Sequence, residues 1–71
     1  MEHDARLLIG RTITMTITKT PRRTVFRECI VEQFYPQEAI WMARDTRTRD
    51  PEFFDLADII EGRVTLERNS N

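Results

Sequence analysis

The stretch Thr12-Ile13-Thr14-Met15-Thr16-Ile17-Thr18 alternates without a break between threonine and a larger apolar side chain. Period two over such a run predicts a β-strand with Ile13, Met15 and Ile17 turned to a core and the threonines on the other face. Upstream, Asp4 reads as an N-cap, Ala5 to Ile9 as one or two helical turns, and Gly10 as the residue that ends them in a left-handed conformation. So short a helix needs support from its neighbours, and Leu7, Leu8 and Ile9 are expected to pack against the end of the sheet. Downstream, Lys19-Thr20-Pro21-Arg22-Arg23 breaks the alternation with a proline and three charges and reads as a turn.

Thr24 to Tyr35 forms the second strand. Val25, Cys29 and Val31 do not share one parity with Phe26, Ile30 and Phe34, so strong curvature or a β-bulge is expected within it. Tyr35 to Glu38 is a turn, Ala39 to Arg44 a third strand, and the polar run Asp45 to Pro51 a loop ending in Asp-Pro. Phe53 to Ala57 is a fourth strand, Asp58 to Gly62 a single helical turn, and Arg63 to Arg68 the last strand. The fold class is therefore mainly β, a small five-stranded antiparallel barrel behind a short N-terminal helix. The chain is one domain: helix and cap over 1–10, barrel over 11–68 and a frayed tail over 69–71. This element order resembles that of SH3-like and Sm-like small barrels.

Seventy-one residues suit one thin core, and a core of that size supplies only about 3–5 kcal/mol. A partner subunit is one way to add to it, so a homo-oligomer is an open expectation. The lone Cys29 offers no internal disulfide, Met1 to Ile9 lacks a signal-peptide pattern, and no apolar run has the length of a membrane span. The expected setting is the cytoplasm, with no membrane association. Net charge is −1, which gives no global attraction to nucleic acid.

No catalytic constellation can be assembled. His3 stands alone near the N-terminus, Ser70 lies in the tail, and Cys29 reads as a small buried hydrophobe in mid-strand. Asp55, Asp58 and Glu61 lie close together, but their spacing matches no calcium loop, and Asp58 has a capping role available. With Gly10 and Gly62 the only glycines, there is no phosphate-cradling loop. Neither a catalytic residue, a metal ligand nor a cofactor is expected.

The arginines are more informative. In a meander of antiparallel strands the first and third connections fall at the same end. This brings Lys19, Arg22 and Arg23 towards Arg44, Arg47 and Arg49, with Asp45 and Asp50 diluting the set. Guanidinium forks suit phosphate or carboxylate, so the six are candidates for an anion or nucleic-acid surface; the alternative is a solvated rim. Phe26, Phe34, Trp41 and Phe54 are expected in the core, leaving Tyr35 and Phe53 as the exposable aromatics, away from the basic loops.

The run Ala39-Ile40-Trp41-Met42-Ala43-Arg44-Asp45, a polar loop with arginines, then Phe54-Asp55-Leu56-Ala57-Asp58-Ile59 resembles the WYL domain, whose pattern is a Trp-Tyr-Leu strand followed by an alanine, a basic loop and a Phe-Arg-Leu-Asp-Arg-Ile strand-turn. Leu7 to Ile17 is similar to its opening. The Trp-Tyr-Leu positions fall on Ala39, Ile40 and Trp41, and both arginines of the last motif are Asp55 and Asp58, so the family's ligand pocket does not carry over. The resemblance implies an Sm-like barrel and a regulatory setting linked to transcription. The expected function is non-enzymatic binding of a protein partner. Nucleic-acid binding through the basic loops and a structural oligomer built by edge-strand pairing are the alternatives.

Overall fold

The structure is a computed structural model and describes residues 4–67; His3, Ser70 and the 69–71 tail lie outside the described residues. Asp4 accepts a hydrogen bond from the Arg6 N–H at 2.8 Å and caps a 3-10 turn, Ala5–Leu8. Three residues per turn puts positions i and i+3 on one line. Ala5 and Leu8 accordingly pack on the core, while Leu7 is 73% exposed and Ile9 is also exposed, contrary to the expectation that all three apolar residues would be covered. Gly10 takes φ +90°, and its N–H donates to the Val31 carbonyl at 2.7 Å, which ties the turn to the sheet.

Five antiparallel strands follow: β1 (Thr12–Thr20), β2 (Arg23–Tyr35), β3 (Ile40–Asp45), β4 (Pro51–Asp55) and, after helix α1 (Leu56–Ile60), β5 (Val64–Leu66). They form one sheet in the order β4-β3-β2-β1-β5. The sheet is not closed, since β4 and β5 are its two ends and no ladder joins them. Pro51 opens an edge strand, where its missing N–H costs no ladder bond.

Register explains the mixed parity of β2. Ile13 lies opposite Cys29 and Val31 opposite Ala43, but the ladder then shifts, with Gln33 opposite Met42 and Phe34 opposite Trp41. Glu32 is the extra residue of a bulge. Odd positions of β2 face the core before it, and Phe34 faces the core after it. Phe26 and Ile30 fall on the opposite face and are exposed, which corrects the assignment of Phe26 to the core.

The core cluster comprises Ile13, Met15, Cys29, Val31, Trp41, Ala43, Phe54 and Val64, with Phe34, Ile59 and Leu66 packed at its margin. Trp41 stacks on Phe54 with ring centroids 5.3 Å apart and touches Phe34 at 5.1 Å. On the other face Met42 is buried beside Tyr35 and Phe53, whose rings are 6.4 Å apart.

The helical turn begins two residues earlier than Asp58. Asp55 is its N-cap: its carboxylate accepts from the Asp58 N–H at 3.0 Å, and the Asp58 carboxylate accepts from the Asp55 N–H at 2.9 Å. This reciprocal capping box ends β4 at Asp55 rather than Ala57. The helix then runs to Ile60, and Gly62 at φ +85° turns the chain into β5.

Candidate functional site

Two surfaces stand out, at different places on the sheet. The first is an apolar groove of about 450 Å³ between the N-terminal turn and α1. Asp4, Ala5, Leu7 and Leu8 line it from the N-terminal turn, Leu56 and Ile59 from α1, and Trp41 and Leu66 from the sheet. Trp41 is held in place by its Nε1–H, which donates to the Ala5 carbonyl at 2.8 Å. Leu56 is 58% exposed, and next to the groove wall Ile60 is 75% exposed. Large apolar side chains gathered around a concavity mark an interaction surface more often than isolated exposed ones do.

Acids rim the groove, and Arg6, in the same turn as Ala5 and Leu7, pairs with Asp4 at 3.7 Å. Glu61 follows Ile60, Glu67 follows Leu66, and Asp4 lines the groove itself. Asp58 is engaged: burial opposes its ionisation, but the Asp55 N–H and the Arg63 guanidinium, 2.7 Å away, outweigh that and hold its carboxyl below the ordinary range. Arg63 also pairs with Glu61, and the two carboxylates raise its pKa further.

The second surface is the β1–β2 hairpin, which carries Lys19, Arg22 and Arg23, all exposed. Arg47 and Arg49 are exposed in the β3–β4 turn, where Arg49 adopts φ 70°. Arg44 is only half-buried, but its guanidinium is committed: it donates to Glu32 at 3.0 Å and to the Arg49 carbonyl at 2.9 Å. Topology sets both connections at one end, yet the register separates them. Asp45, at the end of β3, lies opposite Cys29, whereas the hairpin turns at Arg23, six residues further along β2. Six extended residues span about 20 Å, more than two screening lengths in physiological salt. The register thus offsets Lys19, Arg22 and Arg23 along β2 from the strand end that leads to Arg47 and Arg49.

Between them lies a pair that the charge count alone did not single out. Asp45 is 3% exposed and takes an ion pair from Arg27 at 3.1 Å. Its other oxygen accepts from the Arg47 and Thr48 N–H groups at 2.7 and 2.9 Å, building the turn. The Thr48 and Arg47 N–H bonds, ahead of the Arg27 charge, pull its pKa down to about 2. The signal was present in the sequence: Arg27 shares the inward parity of Val25, Cys29 and Val31, and an inward arginine requires a carboxylate nearby.

Cys29 is fully buried; desolvation first, then the charges of Asp45 and Glu52, push its thiol up to about 11. Burial thus withdraws the thiol from solvent and disfavours the thiolate form that reacts. Among the described residues there is no group of three His, Cys, Asp or Glu placed to hold a metal ion, and no helix long and apolar enough to cross a membrane. No protein-family model, characterised protein or solved structure matches the chain.

Proposed function

We propose that this chain is a non-enzymatic, Sm-like binding module that captures a partner protein in the groove between the N-terminal turn and α1. The partner segment that fits is amphipathic, with an apolar face and basic flanks. The observation that carries this is the groove itself: seven apolar side chains around one concavity, with acids at its margins. Covering side chains such as Leu7, Leu56 and Ile60 is worth roughly 1.5–3 kcal/mol each before the cost of association is subtracted. The acids would favour a cationic approach and discriminate against acidic segments.

The strand order and the single helical turn before β5 support the Sm-like reading, and the regulatory setting in transcription rests on the resemblance to the WYL domain. The residues at the family's two ligand-lining arginine positions have local work here: Asp55 and Asp58 cap α1. A partner protein therefore fits the surface better than that family's usual ligand.

The test is photo-cross-linking in cells that express the protein, with a photoreactive residue at Leu56, at Leu7 or, as control, at Thr18. A discrete protein adduct from Leu56 and Leu7, absent at Thr18 and lost on adding Ile59→Asp, supports the assignment. Adducts that are equal at all three positions, or none from the groove, would remove it.

A further inference from the structure

Five of the eleven cations and none of the twelve acids lie between residues 11 and 27, which leaves six cations against twelve acids elsewhere. That basic run is β1, the hairpin turn and the first part of β2. Its outer half stands away from the sheet. β5 pairs with β1 at Ile13, Thr14 and Met15, with two further bonds, from the Thr16 N–H to the Arg63 carbonyl and from the Glu67 N–H to the Thr12 carbonyl. On the other side β3 reaches β2 only as far as Cys29, with one further bond from the Thr46 N–H to the Glu28 carbonyl. Among the described residues, the two strands pair only with each other from Ile17 to Arg27, a ribbon with both edges open.

An isolated ribbon of this kind is only marginally stable without something against it. It also carries an aromatic ring that the core does not use. Phe26 lies opposite Thr16, is 69% exposed and shares its face with Thr18, Thr24 and Glu28, while Arg23, three residues away at an odd position, falls on the other face beside the turn. Among the described residues Lys19, Arg22 and Arg23 have no ion-pair partner. Exposed ring, guanidinium forks and threonine hydroxyls thus occupy one projecting element, about 10 Å of strand apart at most between Phe26 and Arg23.

We propose that the β1–β2 ribbon is a binding site for single-stranded nucleic acid. Phe26 provides the platform on which one base stacks, Lys19 and Arg22 at the turn hold the adjoining phosphates, and Arg23 reaches the strand from the ribbon's other face. A base within a duplex keeps its faces against its neighbours, so the ring selects unpaired strands. An acidic polypeptide would engage the charges but has no use for the ring. The acidic remainder of the chain repels a polyanion, which confines contact to the ribbon and leaves the groove on the acidic side to its protein partner.

The experiment is fluorescence anisotropy of a labelled oligothymidine of about 12 nucleotides, titrated with the full chain at about 50 and 200 mM salt. Binding at micromolar protein in low salt is expected, falling with added salt at a logarithmic slope of about −2 for three phosphate contacts. Phe26→Ala should weaken it about tenfold with unchanged thermal unfolding, and Arg22→Glu with Arg23→Glu should abolish it. Leu7→Ser should leave it unchanged, which separates this site from the groove. No binding by the wild-type chain, wild-type affinity in Phe26→Ala, tighter binding of the matching duplex, or equal competition by polyglutamate would each overturn the proposal.

Discussion

Arg27 donates to Asp45 at 3.1 Å across the β2–β3 boundary, at the point where the paired sheet ends and the open ribbon begins. Asp45 also supplies the acceptor for two N–H groups of the β3–β4 turn, so one carboxylate anchors both the turn and the base of the ribbon.

Stability should therefore depend on pH through this group. Its folded pKa, about 2, lies below the ordinary 3.8. The contribution is fully present above the unfolded value and is lost as pH falls from there through 2. Denaturant midpoints measured between pH 5 and pH 2 should fall, and Asp45→Asn, which keeps an acceptor for the turn but no charge, should flatten that dependence.

Cys29 gives the opposite sign. Its thiol is raised from 9.0 to about 11, so only the unfolded chain ionises in between, and stability should decline as pH rises through that window. The same burial predicts that a thiol reagent at pH 8 reacts with Cys29 only at the rate of unfolding. Rapid labelling of the native protein would contradict the register that places Cys29 inside.

The two phenylalanines Phe26 and Phe54 should behave in contrast. Phe54→Ala empties a fully buried position stacked on Trp41 and should cost about 3–5 kcal/mol, enough to unfold so thin a core. Phe26→Ala, on the open face of the ribbon, should change stability by less than about 0.5 kcal/mol. Thermal unfolding of the two variants side by side checks this.

At the capping box, Asp55→Ala removes the acceptor for the Asp58 N–H and should cost about 0.5–2 kcal/mol, with Asp55→Asn retaining most of it. Because α1 forms a wall of the groove, the same variant should loosen Leu56 and Ile59, seen as faster amide exchange there.

Much of this architecture was legible in the residues. The alternation from Thr12 to Thr18, the turn at Pro21 and the left-handed Gly10 each follow from local chemistry, and the broken parity of β2 announced a bulge. What parity could not say was which of two apolar sets would be covered. Phe26 was expected inside because a small core needs aromatics. It is outside because the core takes the odd positions Cys29 and Val31 before the bulge, which leaves Phe26, like Ile30, on the opposite face. Likewise Asp58 looked like a cap, but Asp55 precedes it with the same side chain, and only the start of the helix distinguishes N-cap from N3. The basic residues were visible as candidates. Their offset was not, because it depends on how far β2 overruns β3. The groove was the least legible feature, since its walls, Leu7 and Leu56, are distant in sequence and meet only through the sheet.

The most direct test of the groove is a ¹H–¹⁵N titration of the full chain with a short amphipathic peptide that has leucines on one face and lysines on the other. Shifts confined to Leu7, Leu8, Leu56, Ile59, Leu66 and the Trp41 indole, with Lys19 to Phe26 unmoved, are the predicted result. Shifts centred on the ribbon, or none at saturating peptide, would contradict it.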